Sequence, residues 1–237
     1  MDFILLKDEL KKWNINIGDI QIEKFERYFE LLIFWNEKIN LTSIIDKDAV
    51  IYKHFIDSIA LMNFEKLSGK SLIDVGTGAG FPGMPIAILN PECEIYLIDS
   101  LNKRINFLNE VIYDLKLSNV KTFHGRAEDF GHDKNFREKF DFSVSRAVAN
   151  LSTLSEYCLP FVKQGGFFVS YKSEQTDEEI NSSEKALRVL GGNIKSIKSY
   201  NLPYNGGINN RLIFIEKTKY TPKLYPRKAG TPTKSPL

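Results

Sequence analysis

The glycine-rich segment at residues 72–83 carries the strongest fold signal in the chain. It reads Leu72-Ile73-Asp74-Val75-Gly76-Thr77-Gly78-Ala79-Gly80-Phe81-Pro82-Gly83. The apolar start predicts a buried strand, and the glycines predict a turn in which the backbone approaches a ligand closely. A helix is predicted to follow, and its free N–H groups suit carboxylate or phosphate oxygens. Doubly wound sheets bind nucleotides at such a turn, at the carboxyl end of the first strand.

Short apolar runs alternate with helical patterns from residue 70 onward. The predicted strands are Ser71–Val75, Glu94–Ile98, Val120–His124, Asp141–Ser145 and Gly166–Tyr171. The predicted helices are Gly83–Leu89, Leu101–Leu117, Leu151–Leu159 and Asp177–Leu190. This alternation predicts βαβ units and a parallel sheet covered on both faces. Near the end, the turn Asn205-Gly206-Gly207 joins two further strands, Ile194–Tyr200 and Arg211–Lys217, and its shortness predicts an antiparallel pair.

The two ends of the chain differ from this α/β pattern. Helical periodicity predicts three N-terminal helices, at Phe3–Trp13, Asp19–Ile39 and Asp48–Phe64. The last part contains four of the nine prolines and cannot form a regular helix or a central strand. We therefore expect a helical region over 1–66, an α/β domain over 67–218 and an extended basic arm over 219–237 that packs on the same domain. A disordered terminus and an arm over a ligand or phosphate backbone are both open for the last segment.

Composition excludes several classes of protein. The chain has 237 residues, of which 43% are hydrophobic and 26% charged, the balance of an ordinary folded protein. A formal net charge of +2 does not by itself indicate a nucleic-acid partner. Cys93 and Cys158 lack metal-type spacing and are predicted to be buried free thiols, and the three histidines form no ligand pattern. With no signal peptide and no apolar run of about 18 residues, we expect a cytoplasmic protein. We also expect a monomer that holds no metal ion.

Two nucleotide motifs overlap in the glycine-rich turn. Residues 78–83 match G-x-G-x-x-G, the dinucleotide fingerprint, but that frame starts two residues after the strand has ended at Gly76. The frame that starts at Asp74 instead places an acid just ahead of the first glycine. A carboxylate there suits the cationic methionyl end of S-adenosylmethionine and would repel a pyrophosphate. Pro82 also lacks an N–H that a pyrophosphate loop would use. These features favour S-adenosylmethionine over NAD.

Polar residues at the ends of the later strands extend the predicted site. Asp99 ends the second strand, where a carboxylate can accept hydrogen bonds from ribose hydroxyls, although it can equally cap the next helix. After the third strand, an acid in the segment Gly125-Arg126-Ala127-Glu128-Asp129 can accept a hydrogen bond from the adenine amino group. Arg146 ends the fourth strand and is expected to face a carboxylate, a phosphate or the substrate base, because an unpaired buried charge is costly.

Two further candidates admit plainer interpretations. Lys172 ends the fifth strand at the same rim, where it can contact a substrate or simply be solvated. His54 and Asp57 are three residues apart and share one helical face. We expect this pair to be hydrogen-bonded locally and to support the helix, in preference to taking part in catalysis.

The glycine motif and six other segments together resemble a known family. The other segments are Trp35-Asn36 with Asn40-Leu41-Thr42, His54 with Asp57-Ser58, Asp99-Ser100 with Lys103-Arg104, Arg126-Ala127-Glu128, Ser145-Arg146-Ala147 and Pro226-Arg227-Lys228-Ala229-Gly230-Thr231-Pro232. The chain resembles the bacterial 16S ribosomal RNA methyltransferase G family, also called glucose-inhibited division protein B, over nearly its whole length. The resemblance implies a Rossmann-like, seven-stranded methyltransferase fold with an N-terminal helical extension. It also implies methylation of guanine N7 in 16S rRNA, with the rRNA or the small ribosomal subunit as partner.

The resemblance assigns roles to individual residues. Carried over by position, Gly76, Phe81, Ala127, Glu128 and Arg146 would contact S-adenosylmethionine, and Arg146 is also the one catalytic candidate. The turn and the sheet geometry add Gly78 and Asp99 to the predicted cofactor site. The rim residue Lys172 and the tail residues Arg227 and Lys228 are expected to bind RNA phosphates.

The lack of an evident general base agrees with this chemistry. Guanine N7 has an in-plane lone pair and carries no proton, so its attack on a sulfonium methyl group requires no deprotonation. Catalysis would depend mainly on positioning and on a site that tolerates a cationic product. Two alternatives remain at this point: an NAD-dependent oxidoreductase that uses the other glycine frame, and a non-catalytic RNA-binding module.

Overall fold

A computed structural model describes residues 3–237 and contains a seven-stranded mixed sheet. Its strands are β1 (Ser71–Val75), β2 (Glu94–Asp99), β3 (Val120–His124), β4 (Phe140–Arg146), β5 (Val162–Ser173), β6 (Gly192–Leu202) and β7 (Ile208–Lys217). The strand order is β3-β2-β1-β4-β5-β7-β6. The first five strands are parallel, whereas β7 runs antiparallel to both β5 and β6. The predicted α/β class and the antiparallel pair at the end are both present.

Helices cover the sheet and precede it. They are α1 (Ile4–Lys12), α2 (Asp19–Ile39), α3 (Lys47–Val50), α4 (Asp57–Ile59), α5 (Gly83–Leu89), α6 (Asn102–Asp114), α7 (Ala127–Phe130), α8 (Leu151–Cys158), α9 (Asp177–Leu190) and α10 (Thr231–Lys234). Among the described residues 3–237, no helix is both long enough and apolar enough to cross a membrane. Both cysteines are buried free thiols.

The third predicted helix is not a uniform α-helix. Between α3 and α4 the segment Ile51–Ile56 is π-helical, and Ala60–Asn63 is a 3-10 turn. A π segment inside a helix is uncommon and often marks a functional site, because the wider turn changes which side chains share a face. Here the π segment contains His54 and is followed directly by Asp57.

The sheet separates two apolar cores, and alternate residues of β1 belong to different ones. Leu72 lies in the core that also contains Phe25 and Phe55 from the N-terminal helices. Ile73 lies in the opposite core, which is covered by α8 and α9. Alternation of this kind follows from the two-residue period of a strand. Residues 3–66 therefore cover one face of the sheet and share its core.

Two strands, β5 and β7, begin three or more residues before their predicted starts. β5 begins four residues before the predicted Gly166, and its pairing with β4 shifts register between Phe140 and Phe142. The register shift accommodates the pair of glycines at 165–166, which a sequence pattern indicates only as a break. β7 likewise starts at Ile208 and not at the predicted Arg211, because it pairs with β6 almost up to the turn.

The basic arm at 219–237 packs against the α/β domain. The Arg137 side chain donates hydrogen bonds to the carbonyl oxygens of Thr221 and Tyr225, at 2.6 and 2.9 Å. Contrary to our expectation, the arm includes one helical turn, α10. Pro232 fits there because it stands in the first turn, where its missing N–H has no helical partner to lose.

Candidate active site

The glycine turn after β1 has a backbone that only glycine adopts easily. Gly76, Gly78 and Gly80 have φ values of 71°, 62° and 98°. A Cβ atom on Gly76 would also lie 2.8 Å from a methyl group of Val148, in the loop that follows β4. The turn is therefore held close to that loop. An added side chain would be strained and would also clash.

Asp74 supports this turn from below. Its Oδ2 accepts hydrogen bonds from the Thr77 hydroxyl at 2.7 Å and from the Gly83 N–H at 2.9 Å. The carboxyl group is fully buried and its Oδ1 has no partner among the described residues, so burial raises its pKa to about 7. Asp74 thus shapes the turn from the protein interior and is not part of the lining of the cavities beside the turn.

A first cavity of about 230 Å³ lies beside the turn, at the carboxyl ends of β1, β2 and β3. Its lining includes the predicted residues Gly76, Asp99, Ala127 and Glu128. Asp99 stands in the cavity wall and its Oδ1 accepts a hydrogen bond from the Leu101 N–H at 2.9 Å. Leu101 is the N-cap residue of α6, so Asp99 bonds the segment just before the helix and does not cap the helix itself.

The other oxygen of Asp99 links the glycine turn to α6. Oδ2 accepts from the Gly78 N–H at 2.9 Å and from the Arg104 guanidinium at 3.2 Å. Because a carboxylate has about four lone-pair sites, these contacts leave capacity for further donors. Asp99 is therefore a preorganised acceptor next to the turn.

A second cavity of about 600 Å³ adjoins the first and contains Arg146. The two cavities share Gly76, Asp99, Ser100 and Val148 in their linings. Gly78 and Phe81 line only the second. All seven residues predicted to bind the cofactor therefore lie in one continuous pair of cavities.

The guanidinium of Arg146 is bound on several sides. Its Nη1 donates to Asp57 Oδ2 at 2.5 Å and to the Lys53 carbonyl oxygen at 3.0 Å. It lies over the Phe81 ring, 5.3 Å from the centroid, which is a cation–π contact. Arg146 does face a carboxylate, as expected, and that carboxylate belongs to Asp57.

Asp57 is a buried hub that the sequence did not identify. Besides Arg146, it accepts hydrogen bonds from the Tyr200 hydroxyl at 2.6 Å and from the Asn210 side-chain amide at 2.7 Å. These two donors come from β6 and β7, at the far edge of the sheet. No local pattern around Tyr200 or Asn210 indicates this role, because only the folded sheet brings them to Asp57.

His54 occupies the same cluster in its neutral form. Its ring stacks on Phe81 with centroids 4.5 Å apart, and its Nδ1 lies 3.4 Å from a guanidinium nitrogen of Arg146. Burial and the Arg146 charge lower its pKa to about 3. Since a guanidinium only donates, Nδ1 accepts and the Nε2–H donates to the Thr42 hydroxyl at 2.9 Å.

The expected hydrogen bond between His54 and Asp57 is wrong, whereas both side chains do have structural contacts. The hydrogen bonds of the described chain include none between these two side chains, and each instead contacts Arg146. The π-helical segment and the first turn of α4 place both on the side that faces β4.

A third cavity of about 410 Å³ opens on the other side of Arg146. It shares Asp57, Arg146 and Ala147 with the second cavity and extends along the end of β5. Arg146 thus stands between two spaces, one beside the glycine turn and one beyond it. This arrangement suits a reaction between two bound molecules.

The predicted RNA-binding residues differ in their availability. The Lys172 ammonium is paired with Glu179 at 2.6 Å and also donates to the Ala149 carbonyl oxygen. Arg227 forms a bidentate ion pair with the fully buried Glu156, and its Nη2–Oε2 distance is 2.6 Å. Both are therefore paired within the protein, and Lys172 also lines the third cavity. Lys228 is exposed and takes part in no ion pair among residues 3–237.

Metal-ligating side chains are dispersed over the described chain. Within residues 3–237, no three His, Cys, Asp or Glu side chains come together in a way that could hold a metal ion.

Comparison with known proteins identifies the family. The model of the family described as rRNA small subunit methyltransferase G (GidB) matches residues 21–205. The chain is 52% identical over 227 residues to the protein of that name from Desulfitobacterium hafniense, covering 96% of this chain and 94% of the relative. It is 51% identical over 230 residues to the one from Lactococcus lactis subsp. cremoris, covering 96% of each.

Solved structures show the same fold at low sequence identity. M. jannaschii TYW2 in complex with AdoMet aligns with a TM-score of 0.56 and 15% identity, covering 74% of this chain and 79% of that one. P. horikoshii TYW2 in complex with MeSAdo has the same TM-score and identity, with 70% and 63% covered. The predicted seven-stranded methyltransferase fold is confirmed.

The family match decides between the predicted cofactors. S-adenosylmethionine dependence is confirmed, and the NAD-dependent oxidoreductase that we kept as an alternative is wrong. The chain belongs to the rRNA small subunit methyltransferase G family.

Proposed function

We propose that this protein transfers the methyl group of S-adenosylmethionine to N7 of a guanine in 16S ribosomal RNA. One observation carries the proposal: Arg146, held by Asp57, separates the cavities at the glycine turn from the cavity at the end of β5. The first two cavities are the place for the methyl donor. The third, at about 410 Å³, is the place for a guanine base turned out of the RNA.

The predicted residues divide between the two ends of the methyl donor. Asp99 is an acceptor for the ribose hydroxyls, and Ala127 and Glu128 face the adenine. Gly76 and Gly78 allow the chain to approach the donor closely, and Phe81 and Arg146 stand where the methionyl group would lie. S-adenosylmethionine supplies an activated methyl group bound to a sulfonium.

The charges of the Arg146 cluster suit a cationic donor. A sulfonium is positively charged, so an unpaired guanidinium and a protonated imidazole beside it would repel it. Asp57 instead neutralises Arg146, and His54 stays neutral because its pKa is about 3. The cluster therefore fixes the geometry without adding net positive charge, which fits catalysis by positioning.

Cations around the cavities that lack an internal ion pair are the proposed contacts for RNA phosphates. Arg126 lines the first cavity and Lys53 the second, and neither forms an ion pair within the described part of the chain. Lys228 is a third such cation, whereas Lys172 and Arg227 are already paired with Glu179 and Glu156. Such contacts predict that RNA binding weakens steeply with salt.

A methylation assay tests the proposal. Small ribosomal subunits from a strain that lacks the modification are incubated with the protein and labelled S-adenosylmethionine, and the labelled nucleotide is mapped by mass spectrometry. We expect N7-methylguanine at one position of the 16S rRNA. Arg146→Ala should lower the rate at least about 100-fold, the cost typical of a lost positioning contact. Arg188→Ala, an exposed arginine on α9, is the matched control.

The assay also separates the remaining alternative. Binding of S-adenosylhomocysteine by calorimetry without any label in the RNA would favour a non-catalytic RNA-binding module. We keep a monomer, the absence of a metal requirement and a location in the cytoplasm, where ribosomes are, as parts of the proposal. Sedimentation measures the first of these, and activity in the presence of a chelator tests the second.

A further inference from the structure

We propose that Thr233, in the C-terminal arm, and Tyr157, on α8, form a wall of the cofactor site that contacts the adenine end of the ligand beside Glu128. The inference rests on the proposed function, because it takes S-adenosylmethionine as the ligand of the first cavity. It gives the basic arm a role beside the cofactor, in addition to the RNA contact that the family resemblance implies.

The arm reaches the cofactor cavity directly. Thr233, on α10, and Tyr157, on α8, both line the cavity of about 230 Å³ that also contains Ala127 and Glu128. Their hydroxyl oxygens are 2.9 Å apart and form a hydrogen bond. Burial raises the pKa of Tyr157, so its hydroxyl keeps its proton at neutral pH. The pair places one more hydroxyl donor than its own bond requires at the cavity wall.

Anchors on both sides hold this part of the arm in place. Upstream, Arg227 forms its bidentate ion pair with the fully buried Glu156. Next to Thr233, the carbonyl oxygen of Pro232 accepts a hydrogen bond from the Thr153 hydroxyl at 3.2 Å. The Arg227–Glu156 ion pair and the hydrogen bond to Pro232 therefore hold Thr233 in place at the cavity.

The arm also orients the acid that faces the adenine. The backbone N–H of Gly230 donates to Glu128 Oε1 at 2.9 Å. The second carboxylate oxygen of Glu128 has no hydrogen bond within residues 3–237, so it is free to accept one from an amino group. Glu128 is 6% exposed, and a buried acceptor of this kind favours a ligand that supplies a donor.

These groups together distinguish adenine from a 6-oxopurine. Ile98 and Ala127 offer apolar surface for the faces of a ring, and Glu128 offers an acceptor at its edge. Adenine presents an amino group there, whereas hypoxanthine presents a carbonyl oxygen that would oppose the carboxylate. Sites built around a buried hydrogen-bonding group reject analogues that leave it unpaired.

Calorimetry with two ligands tests the proposal. S-adenosylhomocysteine and S-inosylhomocysteine, in which an oxygen replaces the adenine amino group, are titrated into the wild-type protein and its variants. We expect the wild type to prefer the adenosyl compound by at least about 100-fold. Thr233→Val and Tyr157→Phe should each weaken S-adenosylhomocysteine binding about 3- to 30-fold. Glu128→Gln should reduce the preference itself.

Matched controls separate recognition from folding. Thr231→Val makes the same substitution two residues away, outside the cavity lining, and Tyr220→Phe removes an exposed hydroxyl of the arm. Both should bind S-adenosylhomocysteine like the wild type, and thermal melting should show all variants folded. Wild-type affinity and preference in folded Thr233→Val and Tyr157→Phe would overturn the inference.

A proteolysis measurement gives an independent readout. Lys228 is an exposed trypsin site within the arm. If the arm contacts the bound ligand, S-adenosylhomocysteine should slow cleavage after Lys228 at least about tenfold, because binding stabilises the arm in its packed conformation. An unchanged cleavage rate at saturating ligand would refute this. Failure of the wild type to bind S-adenosylhomocysteine at all would refute the proposed function instead.

Discussion

Asp57→Asn should both destabilise the protein and stop methyl transfer. The wild-type carboxylate is 4% exposed and accepts hydrogen bonds from Arg146, Tyr200 and Asn210. The asparagine oxygen can still accept from the last two, but its amide nitrogen would then face the guanidinium, donor against donor. Arg146, whose side chain is only 13% exposed, would keep a buried charge without a counterion.

The magnitude follows from that uncompensated charge. Removing one partner of a buried ion pair costs about 3–5 kcal/mol, a large share of the ~5–15 kcal/mol that stabilises an ordinary domain. We expect urea unfolding to show this loss. The released guanidinium would also leave its place over Phe81, so the rate of methyl transfer should fall about 100-fold.

Asp177→Asn is the matched control, because it makes the same substitution in an ion pair at the surface. Asp177 bonds Arg211 at 2.5 Å, but its side chain is 76% exposed. Exposed pairs contribute about 0–1 kcal/mol, so this variant should be nearly as stable and as active as the wild type. A loss of under 1 kcal/mol for Asp57→Asn, with wild-type transfer, would show that the Asp57 hub does not organise the site.

Three further predictions concern the arm and the glycine turn. Arg227→Met should lower the free energy of unfolding by about 3–5 kcal/mol because it leaves Glu156 buried and unpaired, whereas Lys228→Met should change it by less than about 0.5 kcal/mol; equal losses in chemical denaturation would contradict the ion-pair assignment. Gly76→Ala should weaken S-adenosylhomocysteine binding at least about tenfold, because φ is +71° and the new Cβ would clash with the loop after β4; calorimetry measures this, and unchanged affinity would refute it. Asp74→Asn should remove a pH dependence. The folded wild type holds the Asp74 proton up to about pH 7, whereas an unfolded aspartate loses it near pH 3.8. As the pH rises from 3.8 to 7, this group therefore lowers the free energy of unfolding by up to about 1.4 kcal/mol per pH unit. If the free energies of unfolding of wild type and variant change in parallel from pH 4 to pH 7, the raised pKa of Asp74 is wrong.

Sequence patterns predicted the regular parts of this protein because those parts depend on local chemistry. β1, β3, α5 and α9 begin and end at the predicted residues. Strand and helix periodicity, with glycine and proline at the breaks, is sufficient for such segments. Where a register shift interrupts the pairing, as between Phe140 and Phe142, the pattern shows only a break and the strand end was misplaced.

The site was predicted residue by residue but not in its contacts. Gly76, Phe81, Glu128 and the other expected cofactor residues do lie in adjoining cavities. The family resemblance made RNA the expected partner of the basic arm, and neither the resemblance nor the charge shows that Arg227 is already paired with Glu156, 71 residues earlier in the chain. The partners of an ion are decided by the fold.

The sequence by itself determined the α/β class, the position of the glycine turn and the family, because these follow from short-range periodicity and from motifs along the chain. Only the tertiary structure decided which groups form hydrogen bonds or ion pairs with the buried charged residues. Tyr200 reaches Asp57 across 143 residues of sequence, and Gly230 reaches Glu128 across 102. Buried polar groups form hydrogen bonds with whichever donors the fold brings to them, and no local sequence pattern indicates such long-range partners. Asp74, the acid ahead of the glycines, is fully buried and supports the turn through its hydrogen bond from the Gly83 N–H, which the sequence did not indicate.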